Sequence, residues 1–189
     1  MKNPWMSTSL LWDSDLAFEG LAVNFKSDTN EMNNKNLFAT FGYFPLQESE
    51  WTQNDKYMLG AQLGFKHRPA YGWEYQIGAA WYDYFNISGE PISDAVLTPA
   101  QERRLEEMMP KYLQKGNTLY SMSTGDVSTT NHYGLLSDFE LINFTGQMTN
   151  SLYFPIHVIL YWDWVKNIGY DAEDMAKKSG MSKAYLESI

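Results

Sequence analysis

From Lys56 to Phe85 the chain alternates. Tyr57, Leu59, Ala61, Leu63 and Phe65 are apolar, and the residues between them are Met58, Gly60, Gln62, Gly64 and Lys66. After His67-Arg68-Pro69-Ala70-Tyr71 the rhythm resumes: Trp73, Tyr75, Ile77, Ala79 and Trp81 stand against Glu74, Gln76, Gly78, Ala80 and Tyr82. Successive side chains of a strand point to opposite faces, so this stretch predicts a hairpin with one apolar face and one small or polar face.

Each apolar track runs for roughly nine to eleven residues, the length at which a tilted strand crosses the hydrocarbon core of a bilayer. Its aromatic residues (Tyr57, Phe65, Trp73, Tyr75 and Trp81) lie towards the ends, where amphipathic rings meet the membrane interfaces. Lys66 and Glu74 fall on the other face, and neither track carries a charge. A soluble sandwich also alternates, but its solvent face is usually rich in Lys, Glu and Thr. Here that face is Gly, Gln, Ala and Tyr, which favours a membrane hairpin.

Other segments follow the same period less cleanly. Asp15 to Lys26 predicts a strand of unclear parity, with Leu21, Val23 and Phe25 on one face or Leu16, Phe18, Gly20 and Ala22 on the other. Leu37 to Phe44 predicts a second strand, with Leu37, Ala39, Phe41 and Tyr43 together and Pro45 as its end. Tyr133 to Gln147 predicts a poorer strand with a bulge near Leu141, and Met148 to Asn150 a tight turn. Ser151 to Lys166 is the clearest track: Leu152, Phe154, Ile156, Val158, Leu160, Trp162 and Trp164 oppose Tyr153, His157, Tyr161 and Asp163. The connection at 86–132 is far too long for a structureless loop. It contains Thr98-Pro99-Ala100-Gln101, a capping box with proline at the first helical position. Leu105, Met108, Met109 and Tyr112 then recur at helical spacing until Pro110 interrupts them. This predicts a long external loop carrying a short helix, and 170–189 reads as a helix-like tail. Short links at 67–71 and 148–150 against the long one at 86–132 match the short turns and long loops of an outer-membrane barrel.

Composition narrows the classes. The 189 residues suffice for one domain, taken as a single segment over 1–189. A net charge of −9 argues against a nucleic-acid partner. Aromatic residues are 16% of the chain while the mean hydropathy is −0.43, a pairing that fits a wall with one polar face. No apolar run reaches the length of a transmembrane helix. There is no cysteine, hence no disulfide or thiolate metal site. His67, His132 and His157 are too scattered for a metal site, Asp13 and Asp15 only weakly suggest a calcium loop, and no nucleophile stands near a base in any known order. Neither catalytic residues, a metal nor a cofactor is expected. MKNPWMSTSLLWDSD lacks the form of a signal peptide, so under a barrel reading an export signal is expected upstream of it.

The stretches LLWDSDLAFEGLAVNF, LFATFGYFPLQE, YMLGAQLGF with YQIGAAWYDYFN, and FPIHVILYWDWVKNIGYDAEDMAKKSG resemble the putative porin family of Gram-negative bacterial outer membranes. The similarity covers most of 10–90 and 132–180. It implies an all-β, antiparallel transmembrane β-barrel of porin type, here a segment of about six strands, and passive diffusion of small solutes. Membrane lipid and the diffusing solutes are then the partners, with homo-oligomers open. On this reading Gln62, Lys66, Glu74, Gln76, His157 and Asp163 line the pore. Tyr57, Phe65, Trp73, Tyr75, Trp81, Phe154, Trp162 and Trp164 form a lipid-facing aromatic girdle. Two rivals stand beside it: a soluble all-β module binding carbohydrate on an aromatic platform, and a small closed barrel with a structural or adhesive role.

Overall fold

A computed structural model describes residues 2–13, 15–27, 35–48, 55–92, 97–111, 118–123, 132–153 and 155–188. Six strands form one antiparallel sheet in the order β1-β2-β3-β4-β7-β8. They are β1 (Leu21–Lys26), β2 (Lys35–Gln47), β3 (Lys56–His67), β4 (Trp73–Phe85), β7 (Glu140–Tyr153) and β8 (Ile156–Asn167). Two short strands, β5 (Leu119–Ser121) and β6 (Tyr133–Leu135), pair separately. The fold is all-β and antiparallel, as the alternation predicts, and among the described residues the six-stranded sheet is open, with β1 and β8 at its edges. No helix among these residues is long and apolar enough to cross a membrane.

The chain divides into two compact units, one of 1–45, 58–83 and 141–167, the other of 46–57, 84–140 and 168–189. In the first, burial along β2, β3 and β4 follows the period of two. Leu37, Phe41 and Tyr43 are exposed on β2, whereas Thr40 and Phe44 are buried. The register couples neighbours on the same face: Leu21 lies opposite Tyr43, Val23 opposite Phe41, and Phe25 opposite Ala39. This decides the parity of β1, whose exposed face is Leu21, Val23 and Phe25. On the far side of the sheet Phe144 pairs with Trp164, Gly146 with Trp162 and Met148 with Leu160. The Trp162 ring lies across Gly146, where an added Cβ would meet it at 1.8 Å, so glycine here is the space the indole occupies.

Several local expectations are corrected. The strand predicted over Asp15–Lys26 begins only at Leu21, because Gly20 at φ 147° turns the chain where other residues are strained. Pro45 does not end the second strand: β2 runs on to Gln47, since proline costs one ladder donor and not the extended backbone. The strand predicted over Tyr133–Gln147 is divided between β6 and β7. On its β8 side, β7 shows no bulge near Leu141: the β7–β8 register is continuous from Leu141 to Asn150 and shifts only between Asn150 and Tyr153. Met148 to Asn150 is therefore strand and not turn. The reversal comes after Tyr153, where Pro155 lies in the turn, so the predicted single strand over Ser151–Lys166 belongs to two strands. Proline fits there because a turn needs its fixed φ and not its missing N–H. Tyr112 and Phe154 lie outside the described residues.

The second unit has its own core. Helix α1 (Pro99–Met108) carries the predicted capping box: Thr98 Oγ1 accepts the Gln101 N–H at 3.3 Å, and Gln101 Oε1 accepts the Thr98 N–H at 2.8 Å. Leu105 and Met108 face inward from it and meet Tyr120 and Met122 of the β5 segment, Leu136, Met175 of α2 (Ala172–Ser179) and Leu186 of α3 (Lys183–Leu186). The predicted loop helix and the predicted tail thus share one cluster. Thr98→Ala should lower this unit's stability by about 1 kcal/mol, the usual cost of losing an N-cap hydroxyl; denaturant unfolding followed by helix signal measures it. Burial, with the carboxylates of Glu90 and Asp174 nearby, pushes the Tyr120 phenol up to about 12. Its neutral form is favoured in the folded state, so its contribution is complete below the ordinary tyrosine range near 10 and is lost as pH rises through about 12. Phenolate absorbance should therefore show Tyr120 ionising later than the exposed tyrosines. Tyr120→Phe should reduce the late absorbance step by the signal of one phenol.

Candidate functional site

The face of the first unit opposite Leu37, Phe41, Leu63 and Ile77 carries the candidate site. It presents Thr40, Gly42 and Phe44 from β2; Met58, Gly60, Gln62, Gly64 and Lys66 from β3; and Glu74, Gln76, Gly78, Ala80 and Tyr82 from β4. Asn143 and Thr145 come from β7 and Asp163 from β8.

Residues 2–13 and 15–20 lie over part of this face. Trp5 is 6% exposed and packs edge-on against Tyr82, with ring centroids 5.0 Å apart, and against Phe44 at 6.0 Å. Trp12 meets Tyr82 at 5.3 Å and Phe18 at 5.1 Å, and Phe18 closes the cluster on Phe44 at 5.0 Å. Such edge-to-face contacts put the positive ring edge on the negative face of the next ring. The glycines explain how the segment fits. A Cβ at Gly60 would come within 2.7 Å of the Trp5 ring, and one at Gly42 within 3.0 Å.

Polar side chains fix the backbone above. Gln62 is buried, and its Oε1 accepts the Met6 N–H at 2.8 Å while its Nε2 donates to the Met6 carbonyl at 2.7 Å. One pairing thus satisfies both a buried amide and a peptide outside any strand ladder. Thr8 Oγ1 donates to Asp163 Oδ2 at 2.5 Å. The other carboxylate oxygen accepts from Thr145 Oγ1 at 3.2 Å and from Asn143 Nδ2. Asp163→Ala would remove a charged acceptor from the buried Asn143 and Thr145, which would keep only the Trp164 carbonyl and Asn143 Oδ1 respectively, and from Thr8. It should destabilise the folded chain by about 1–3 kcal/mol, read from unfolding midpoints in detergent.

The remaining predicted residues fall elsewhere on the sheet. Glu74 is forked by Lys66 Nζ and Arg68 Nε, each at 2.6 Å. A cleft beside it is lined by Arg68, Tyr71, Trp73, Thr149 and Ser151. Gln76 is half-buried on the Gln62 face. His157 is exposed, with Nδ1 2.9 Å from Ser151 Oγ. The structure therefore brings Gln62 and Asp163 together under the 2–20 segment, and Lys66 with Glu74 in an ion-pair cluster. Gln76 and His157 join neither group. Of Tyr82, Tyr153 and Tyr161, Tyr82 is fully buried as a filler, while the other two are exposed.

On the opposite face, Trp73 stacks parallel on Tyr75 at 6.0 Å, and Trp162, Trp164, Tyr75 and Phe144 are substantially exposed. Phe65 and Trp81 are half-buried. Tyr57, in the second unit, stacks on Phe85 at 4.6 Å. On the outward positions of the first unit the charges lie near strand ends, Lys35 at the start of β2, Asp83 towards the end of β4 and Lys166 towards the end of β8, and the described positions between them carry none.

A family model for putative porins matches residues 1–188, nearly the whole chain. The chain belongs to the putative porin family. Membership gives it a porin-like role and agrees with the antiparallel sheet and its two-faced strands. Among curated proteins and among solved structures, none matches this chain. The strand periodicity shows the sheet but not the segment laid on it. Trp5, Trp12 and Phe18 follow no strand period, and the only signal for their seat was the excess of small residues at Gly42, Gly60, Gly78 and Ala80.

Proposed function

We propose that this chain forms part of the wall of an outer-membrane channel through which small polar solutes diffuse passively. The observation that carries the reading is the outward face of the first unit. Leu21, Phe25, Leu37, Leu63, Ile77, Leu160, Trp162 and Trp164 are all largely exposed, with relative exposures from 48% to 66%. A soluble protein rarely leaves so much contiguous apolar surface in water, whereas lipid is the solvent in which it is stable. The soluble carbohydrate module loses support for the same reason: its apolar face should be the buried one. Lys66, Arg68, Glu74, Gln76, His157 and Asp163 supply mixed charge and hydrogen-bonding groups on the other face, suited to water-filled passage. The aromatic filling around Trp5 favours, as a second reading, a membrane barrel that does not conduct. Reconstitution decides. The chain should insert into lipid vesicles and make them permeable to small neutral solutes. A monodisperse β-rich monomer in plain buffer that leaves vesicles intact would overturn the channel reading, and insertion without permeability would favour the second.

A further inference from the structure

We infer that the segment Lys2–Gly20 is a strap that sets the conductance of the channel, with Gln62 as its clamp and the Trp5 seat as its lock. The inference rests on the channel reading above and names the element that narrows it. Three independent observations point to a built docking place and not to a chance covering. The Gln62 side chain satisfies both the N–H and the carbonyl of Met6, so a buried amide of the wall is committed to the strap. Asp163 spends one carboxylate oxygen on Thr8 of the strap and the other on the wall residues Asn143 and Thr145. Gly60 and Gly42 leave the room that the Trp5 ring fills, and Phe44 and Tyr82 supply its walls.

These contacts lie on the polar face, where the solute path would run, and not on the apolar face. The strap buries Trp5 and Phe18 against the wall and leaves Ser9, Leu10, Asp13, Asp15 and Glu19 exposed. A solute passing this face therefore meets the strap before it meets Gln62. The Trp5 and Trp12 indole N–H groups are buried with no hydrogen-bond partner among the described residues. This lowers the cost of releasing the strap, because no polar bond of theirs is broken. The Met6 and Thr8 bonds and the aromatic contacts hold it in place.

The experiment combines conductance with a label that does not depend on transport. The chain contains no cysteine, so a single introduced thiol has no background. Gly78→Cys is suitable: a Cβ there meets Met6 Sδ at 3.4 Å and the Gln62 side chain at 3.5 Å, ordinary contact distances. In the full chain refolded in detergent, this thiol should resist a water-soluble maleimide. It should label fully once Trp5→Ala and Gln62→Ala are added, or once residues 2–20 are deleted. In planar bilayers the same variants should conduct severalfold more than the parent, or conduct where the parent does not. Should deletion prevent folding, the two point substitutions leave the outward face and chain length intact and carry the test alone. Unchanged conductance in variants whose introduced thiol has become reactive would overturn the strap inference and leave the channel reading standing. Absence of conductance from parent and unstrapped variants alike would overturn both. Full labelling of Gly78→Cys in the parent background would overturn the seat itself.

Discussion

Replacing Leu63 by arginine is expected to cost about 2–4 kcal/mol when the chain folds into a bilayer, the penalty of a cation on a barrel's lipid face near mid-membrane. Leu63 is 65% exposed near the middle of β3, beside Leu37, Phe65, Ile77, Phe144 and Trp162. In water a position so open would accept arginine within about 0.5 kcal/mol, as surface substitutions away from special features do. The same substitution thus has two very different costs depending on the solvent of that face. Lys66→Leu, on the other face of the same strand, is the control. It would lose the 2.6 Å ion pair with Glu74 but should not gain the bilayer penalty. Urea titrations of both variants folded into lipid vesicles measure the difference. A Leu63→Arg penalty below that of Lys66→Leu would remove the lipid from the account.

The second large effect belongs to the other unit. Leu105→Ala should destabilise it by about 2–5 kcal/mol, the range for truncating a fully buried leucine and leaving a cavity. Leu105 is 0% exposed and sits among Met108, Tyr120, Met122, Leu136, Met175 and Leu186. These come from α1, the β5–β6 region, α2 and α3, so one truncation removes contacts that tie sequence-distant pieces together. The helical signal, rather than the β signal, should melt earlier in thermal scans followed by circular dichroism. Arg104→Ala, on the exposed side of α1 where Arg104 pairs with Glu90, should change that transition by less than about 1 kcal/mol.

The two effects also mark what could be seen in the sequence. Period-two alternation was enough for β2, β3 and β4, because each carries one apolar face and one face of mostly small or polar residues, and a one-residue slip would invert both. It misplaced the β7–β8 reversal. Leu152 and Trp164 share an even-numbered track, but the register shifts by one between Asn150 and Tyr153, and parity alone shows neither that shift nor the change of direction. The Thr98–Gln101 box was readable since its chemistry is local, spanning a few residues. The core that α1 shares with Met175 and Leu186 was not, because contacts between segments so far apart leave no periodic trace. Parity puts Gln62 and Asp163 on the polar face, yet their partners Met6 and Thr8 were invisible: neither a backbone peptide clamped by a side chain nor a hydroxyl far away in sequence leaves a periodic signature.

The central claim, that the aromatic and aliphatic face meets lipid while the Trp5 face does not, is tested most directly by quenching. Two variants are made, one keeping Trp162 alone of the seven tryptophans and one keeping Trp5 alone, the others changed to phenylalanine. Each is folded into vesicles with brominated acyl chains and its fluorescence compared with that in ordinary lipid. Trp162, 48% exposed on the outward face, should be strongly quenched, and Trp5, 6% exposed beneath the strap, should not. Equal quenching of the two, or quenching of Trp5 alone, would contradict the orientation of the wall.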